Sequence, residues 1–366
     1  MTGGASFFPS RTIAWYMAKR FLVASFSVLA LLVLVLMTLD LLGESGDILA
    51  HPGNGEPQLW TYTSLRVPQI IARFLPFSVL LGTIATLSTM NQNSEIIAMK
   101  AAGLSAHQVL APLIVASLGV AAISFTFNDR VVTRATATLA AWQSVDYGPL
   151  PIDRGDRSNV WVRAGDELIQ VRQVRGRGDA TVIGGVTIYQ RPTGVLTGIL
   201  RTDRAVRDAV GWRADTAVRF DVRTGALTRL GPTIIARGVQ PDRFTLANVS
   251  ADELGYADLD RAIAELDAAG RPTKALEGAK WHKLSGPLSS VLMPLLAAVA
   301  AFGLARSGQL FVRAVMGMAL GFAYFVADNF ALAMGNLGAY PPFLAAWAPF
   351  LMFLLIGEAV LVRTEE

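Results

Sequence analysis

The chain has 366 residues, 52% of them hydrophobic, with a mean hydropathy of +0.44 and a formal net charge of only +4. That apolarity points to a membrane protein, and so small a charge gives no footing for nucleic acid. It has no cysteine and only three histidines, His51, His107 and His282, far apart in sequence; an exported segment would hold no disulfide, and a zinc site is argued against.

Charge-free runs occur at Phe21–Leu39, Phe74–Met90, Val109–Phe127 and Leu284–Ala305, and further runs start at Ala314 and Pro342. A helix needs about 20 apolar residues to cross a hydrocarbon core, and only helices or closed barrels satisfy their backbone there. Six transmembrane helices are therefore expected, arranged 3+3. Span one is too long for a signal-peptide core and runs into Asp40 rather than a small-residue cleavage site, so it should stay attached. Arg11, Lys19 and Arg20 precede it without an acid, whereas Asp40, Glu44, Asp47 and Glu56 follow it; Arg306 and Arg313 lie between spans four and five. The positive-inside rule then puts both termini and the 91–108 and 306–313 loops in the cytoplasm, and the polar insertion outside.

The loop between spans two and three reads Ser94-Glu95-Ile96-Ile97-Ala98-Met99-Lys100-Ala101-Ala102-Gly103. Ser94 is placed to cap a short helix, Glu95 suits its first turn, Gly103 closes it and Ser105 is placed to cap the next. Such a helix would offer Ile96, Ile97 and Met99 to something other than lipid; a tight turn between two spans is the plainer alternative.

Between Asn128 and Lys283 the chain is soluble in character. Glu167–Val174, Ala180–Gln190, Gly194–Arg201 and Asp215–Arg223 read as strands within Val160–Phe244, separated by turn signals at Gly176–Gly178, Arg191–Gly194 and Thr224–Gly225. Short strands at near-regular spacing predict an antiparallel sandwich or open barrel. Tyr256–Ala269 then has helical spacing, with Leu259, Ile263 and Leu266 on one face and Gly270 and Pro272 as stop signals. Asp258, Asp260, Glu265 and Asp267 are read as its solvated face. A second helical stretch, Lys274–Lys283, leads into span four. In span five, Gly317 and Gly321 allow close helix approach. Asp328 lies about 21 Å along that helix from Ala314, in its outer half. It is either a functional acid or the partner of an interhelical hydrogen bond, to the Asn329 neighbourhood or another span.

No G-x-x-x-x-G-K-[ST], H-E-x-x-H or G-x-S-x-G string occurs, so the sequence offers no nucleotide loop and neither common hydrolase signature. A transport or scaffold role fits better than an enzyme, and no cofactor or metal is implied.

The Ser94–Gly103 string, set between spans two and three of such a layout, resembles the lipopolysaccharide-export permease family, LptF and LptG. Arg11–Phe21 is similar to the family's amphipathic N-terminal segment, Trp281-His282-Lys283-Leu284-Ser285-Gly286-Pro287-Leu288 to its entry into span four, Val312–Asp328 to span five and Pro341-Pro342 to the turn into span six. Tyr256–Arg363 is closer to the LptG branch. The resemblance implies a jellyroll-like periplasmic all-β domain. It divides the chain into an N-terminal membrane half (1–127, coupling helix 93–103), that domain (128–255), a helical connector (256–283) and a C-terminal membrane half (284–366). It implies an inner-membrane permease of a Gram-negative cell, paired with an LptF-like permease, a dimer of a separate LptB-like ATPase and an LptC-like periplasmic protein. The substrate implied is lipopolysaccharide, entering between spans one and five and passed to a periplasmic bridge.

On that reading Ser94, Glu95, Ile96, Ile97, Met99 and Gly103 couple to the ATPase, and Leu36, Gly317, Gly321, Tyr324 and Asp328 line the lateral gate. Some members carry basic residues just after span one; here Asp40, Gly43 and Glu44 stand there. Lipid phosphates would then meet Arg66, Arg73, Arg130, Arg134 or Lys283, each equally readable as an interfacial anchor. The competing readings are a permease for another lipid or a lipoprotein, a membrane receptor with a periplasmic sensor domain, and an intramembrane hydrolase.

Overall fold

The computed structural model describes residues 10–149, 157–175, 181–241, 244, 250–268, 271–302 and 310–363. The expected turn at Gly176–Gly178, the stop at Gly270 and Arg306 of the loop before span five lie outside them.

Helix α1 (Arg11–Ala50) has 40 residues, about 60 Å at ~1.5 Å per residue. It takes in the basic segment, span one and the acidic stretch that follows the span. The two glycines there, Gly43 and Gly46, cost a helix only about 1 kcal/mol each, and no proline intervenes before Pro52. Asp40, Glu44 and Asp47 are consequently helical. Helix α2 (Glu56–Gln92) returns alongside it and is followed by the short α3 (Glu95–Ala101) and by α4 (Ala106–Phe127). The domain boundary expected at Asn128 falls inside a continuous rod. Asn128–Val132 form a single π-turn that widens the helix without stopping it, and α5 (Thr133–Gln143) carries on. No glycine or proline interrupts this stretch before Gly148; the rod ends where Asp146 and Tyr147 adopt left-handed φ of 50° and 58°.

Among the described residues eight antiparallel strands follow: β1 (Arg157–Ala164), β2 (Glu167–Arg175), β3 (Val182–Gln190), β4 (Gly198–Arg207), β5 (Trp212–Ala214), β6 (Ala217–Asp221), β7 (Leu227–Leu230) and β8 (Thr233–Ile235). β1 to β4 form a meander whose register stacks Ile169 beside Ile188 and Ile188 beside Leu200. The sheet forks at β4: its first residues pair with β6, which pairs with β7, and its last with β5, which pairs with β8. Trp212 sits fully buried at the centre, edge-on to Phe244 at 5.1 Å, with its indole N–H donating to the Val239 carbonyl at 2.9 Å. The burial of that large ring is safe because its one polar atom is satisfied.

After the sheet come α6 (Tyr256–Ala268), α7 (Lys274–Phe302), α8 (Leu310–Asn336) and α9 (Pro342–Arg363). Leu259, Ile263 and Leu266 are buried along α6 as their spacing predicts, while Asp258, Asp260, Glu265 and Asp267 face outward. Asp129 in the π-turn accepts from the first α6 amide, that of Tyr256, at 2.5 Å. Lys280 pairs with Asp260 at 2.8 Å, a bond that raises the lysine above its ordinary value.

The chain divides into two compact units: Met1–Pro149 with Ala251–Ile263 and Pro272–Glu366, and Leu150–Ser250 with Ala264–Arg271. In the helical unit α7 is the central element, packed by α2, α4, α8 and α9, with Leu292, Met293 and Leu295–Ala298 buried. Among the described residues, five helical stretches are long and apolar enough to cross a membrane: Arg11–Ala50, Glu56–Gln92, Ala106–Gln143, Val315–Asn336 and Pro342–Arg363. The expected fourth span is the charge-free part of α7 from Leu284 to Phe302, where the described residues stop. The protein is thus a polytopic helical membrane protein with an inserted antiparallel β domain.

Helix contacts depend on missing side chains. A Cβ on Gly82 of α2 would lie 2.3 Å from the Ser25 hydroxyl and 2.5 Å from its Cα, a backbone atom that cannot rotate away. Gly82→Ala should lower the thermal stability of detergent-solubilised protein by about 1–3 kcal/mol, the usual cost of overpacking. Gly43→Ala, where nothing lies within 4 Å, should leave the melting temperature unchanged or raise it slightly.

Candidate functional site

At one end of the α1–α2 pair the chain leaves α2 through Ser94, whose φ of 59° is left-handed. Ser94 does not cap α3 as expected: its side chain makes no hydrogen bond to the helix, because capping needs the extended backbone of an ordinary N-cap. Ser105 does cap α4, accepting from the Gln108 amide at 3.2 Å while Gln108 Oε1 accepts from the Ser105 amide at 3.0 Å. Gly103, at φ +87°, closes α3. The three apolar residues expected to face a partner separate. Ile96 and Met99, one turn apart, are buried in the bundle core, and Ile97 is 60% exposed. The Glu95 carboxylate turns toward α1, where Arg20 Nη1 donates to Oε1 at 3.0 Å and the Tyr16 hydroxyl to Oε2 at 3.1 Å. In the sequence Arg20 served only to orient span one and Tyr16 was not singled out; their i, i+4 spacing ahead of the first apolar run was the available signal for the pair.

At the opposite end of the same pair, Arg66 of α2 grips Asp40 of α1 with both Nε and Nη2, at 3.0 and 2.8 Å. Tyr62 donates to the same carboxylate at 2.7 Å, and Gln69 accepts from Arg66 Nη1 at 2.9 Å. One turn on, Glu44 accepts from the Tyr147 hydroxyl at 2.7 Å. Asn54 donates to the carbonyls of Ile48 and Tyr147 at 2.8 and 2.9 Å. Burial pushes the Tyr147 phenol above its ordinary value, and the bond to Glu44 adds to the shift.

Arg66, expected to be open to lipid phosphate, is therefore occupied by a carboxylate of its own chain. Arg73 is exposed and has no hydrogen-bond or ion-pair partner among the described residues. With Gly82 against Ser25 and Arg66 against Asp40, antiparallel register sets Arg73 level with Val33 and Leu34, about 10 Å along the helix from Arg66. Arg130 in the π-turn and Arg134 in α5 are exposed, four residues apart on one helical face. Lys283 is half-buried; burial lowers its ammonium below its ordinary value, while Asp252 and Asp129 oppose that shift.

On α8, Gly321 meets α2: a Cβ there would stand 2.2 Å from Leu80 Cδ2. Gly317 is buried. Tyr324 points inward, 4% exposed and edge-on to Phe353 of α9 at 5.5 Å. Asp328 is 7% exposed; its Oδ2 lies 3.8 Å from Nε2 of His282 on α7, and its Oδ1 has no hydrogen-bond partner among the described residues. The expected neighbour was Asn329 or another span, and it is α7. Leu36 is half-buried against the cluster that holds Tyr62 and Trp142. The open apolar faces carry different residues: Leu31, Leu34 and Val35 on α1, and Phe322, Val326 and Phe330 on α8. Within the β unit a cavity of about 1070 Å³ is lined by Glu167, Ile188, Gln190, Leu200, Ile235 and Arg271, among others.

The sequence of this chain matches the family described as lipopolysaccharide export system permease LptF/LptG over residues 15–363. The chain belongs to this family. It is 24% identical to the lipopolysaccharide export system permease protein LptG of Escherichia coli K12 over 311 residues, 82% of this chain and 84% of that protein. It is 23% identical to LptG of Haemophilus influenzae over 374 residues, 97% and 99% of the two chains. These relatives are permease proteins, components of a transport system and not enzymes.

The Asp40–Arg66 pair generates a measurable coupling. Asp40→Asn and Arg66→Gln should each destabilise the solubilised protein. A double-mutant cycle on thermal unfolding should return about 1 kcal/mol, no more, because the charges remain partly exposed. A coupling near zero would mean that the fork is a passive surface contact.

Proposed function

We propose that the chain is the LptG-type permease subunit of an ABC transporter, which takes lipopolysaccharide from the outer leaflet of a Gram-negative inner membrane and passes it to a periplasmic bridge. The observation that carries this reading is the family match across residues 15–363. In it both termini are cytoplasmic and the β unit is periplasmic, supported by Lys19 and Arg20 at one end of the α1–α2 hairpin and Asp40, Glu44, Asp47 and Glu56 at the other. An LptF-like permease is the heterodimer partner, an LptC-like protein receives substrate, and a dimer of an LptB-like ATPase supplies the energy.

The ATPase docks at α3. Ile96 and Met99 anchor this helix to the bundle, and Ile97 is the apolar group left for the partner. Substrate acyl chains lie against the outward faces of α1 and α8; the exposure of Leu34 and Phe322, against the burial of Tyr324 and half-burial of Leu36, supports moving the gate-lining role to them. For the phosphates, Arg73, Arg130 and Arg134 are guanidinium forks with no partner among the described residues, each suited to bidentate contact. Arg66 serves the hairpin.

Reporter fusions should place Gly225, in the β6–β7 turn, outside and Gly103, after α3, inside; the same side for both would sink the topology. Ile97→Asp should strip the ATPase from the complex in mild detergent while leaving the permease monodisperse. Photo-crosslinkers at Leu34 and Phe322 should capture lipopolysaccharide in preference to phospholipid, and equal capture would argue for a general lipid transporter. Combined Arg73→Gln, Arg130→Gln and Arg134→Gln should weaken capture more than any single change, since each exposed contact contributes about 1 kcal/mol or less.

A further inference from the structure

The face that α8 turns into the bundle is built mostly of small residues. Among the described residues its buried positions are Gly317, Gly321, Tyr324, Asp328, Ala331 and Gly335, three and four apart along one stripe. Small residues let helices approach, but inside a membrane nothing hydrophobic then holds them together. One member of this stripe is an acid. Asp328 Oδ2 faces Nε2 of His282 on α7 at 3.8 Å, and its Oδ1 has no hydrogen-bond partner among the described residues. An ionisable group buried at that depth is costly unless it is paired. Its surroundings offer little besides the imidazole. The Tyr324 hydroxyl, one turn away on α8, is buried without a hydrogen-bond partner among the described residues. α9 has no ionisable side chain from Pro342 to Gly357, and α4 has none from Gln108 to Phe127. Arg73, the sole charged residue of α2 from Val67 to Gln92, is exposed. On α7, Lys280 pairs with Asp260, and the charges that act on Lys283 are Asp252 and Asp129. His282 itself stands two residues before the apolar run that begins at Leu284, and its side chain is 33% exposed. Water therefore reaches the imidazole. The Ser285 hydroxyl lies 3.4 Å from Nδ1, which leaves Nε2 for the acid.

We propose that His282 and Asp328 form a latch between α7 and α8 that holds by sharing one proton, and that loss of the latch frees α8 to move. The proposal rests on the reading of α8 as a substrate-facing gate helix and deepens it: Phe322, Val326 and Phe330 ride on the opposite side of the latched helix. Both latch members are positioning residues. One proton on the pair, carried by the imidazole, sets an imidazolium against a carboxylate and leaves the site neutral as a whole. Removing that proton at alkaline pH leaves the carboxylate facing a neutral ring. Adding a second at acidic pH leaves an imidazolium facing a neutral acid. Either change abolishes the attraction and strands a single charge at the helix contact, so the latch holds across a window of pH and fails on both sides of it. The proton enters and leaves through His282, which in the proposed topology opens to the periplasmic side.

The test uses the complete transporter, permease pair and ATPase, reconstituted with lipopolysaccharide in proteoliposomes. Because this chain has no cysteine, single cysteines introduced at the outer ends of α7 and α8 carry spin labels without background. In the otherwise unaltered chain, the α7–α8 separation should be narrowly distributed near neutral pH and broaden toward both acid and alkali. Asp328→Asn and His282→Gln should each give the broad distribution at every pH. Each should also lower the lipopolysaccharide released per ATP hydrolysed by about tenfold, within the range of ordinary coupling energies, with ATPase retention preserved. A residue that merely fills space would leave the pH profile as it was. Should Asp328→Asn fail to assemble, His282→Gln decides the matter, since its side chain lies at the wetter margin of the helix. A separation that ignores pH in the unaltered chain, or a pH window that survives in either variant, would overturn the latch. Absence of lipopolysaccharide crosslinks at Phe322 would overturn the gate reading of α8, while the distance measurements would still judge the latch.

Discussion

The near-contact of Gly82 with Ser25 is the constraint on which the arrangement of the helical unit turns. It lets the backbones of α1 and α2 approach until no Cβ fits between them, and that closeness fixes the register of two helices of 40 and 37 residues. Once Ser25 lies against Gly82, antiparallel geometry places Asp40 against Arg66 at one end. Lipid tails are as apolar as leucine, so nothing hydrophobic drives two such helices together inside a membrane; packing at small residues and polar contacts must do so. The same device recurs where Gly321 admits Leu80, Gly335 admits Ala345 and Gly357 admits Leu295.

Polar groups then act at the ends of the hairpin, where they cost least. The Asp40–Arg66–Tyr62 set and the Glu44–Tyr147 bond hold the acidic end, and Arg20–Tyr16–Glu95 holds the basic end. Between them the outward side of α1 is apolar, with Leu31, Leu34 and Leu39 open. A helix tied along one side and at its ends, with a free apolar face between, is suited to tilt as a body. The β unit stands on its own core, since no cysteine is available to staple it. Its folding depends on the branched residues of the meander and on Trp212 and Phe244.

Much of this was legible in the sequence because the period of the apolar residues survives without tertiary knowledge. The apolar spans, the short helix after Ser94 and the α6 face of Leu259, Ile263 and Leu266 all rest on local pattern. Strands β2, β3 and β6 came within a few residues for the same reason, whereas β4 was placed about four residues early, since its turn continues through Gly194 to Thr197 before pairing begins. What failed was anything decided across the chain. The acidic stretch after span one reads as a loop until Tyr62 and Arg66 supply partners that make a helix worth extending. Asn128 reads as a boundary because a π-turn leaves no signature in composition. Ser94 has the right side chain for a cap and the wrong backbone for it. Arg66 resembles any free interfacial arginine until its carboxylate, 26 positions earlier, is found. Tyr324 and Leu36 sit in the expected helices, but which way a residue faces in an all-apolar helix is fixed by neighbours, and its own periodicity carries almost no information.

The distribution of apolar surface bears on where energy must enter. Moving an acyl chain from lipid onto the face of Leu34 or Phe322 exchanges one apolar surface for another and is close to neutral. On the proposed reading, selection at that stage falls to the headgroup and to exposed guanidinium groups such as Arg73. Carrying the same chain toward water costs about 0.8 kcal/mol for each CH₂ exposed, so a chain of a dozen carbons would be forbidden without cover. On that reading such cover would fall to the β unit, whose cavity of about 1070 Å³ has Ile188, Leu200 and Ile235 in its wall. The physical problem for a permease of this design is thus concentrated in the transfer between two apolar surfaces. On the proposed reading an energy-driven collapse of the first surface is the natural means, because the affinity of either surface for its cargo cannot by itself drive the transfer.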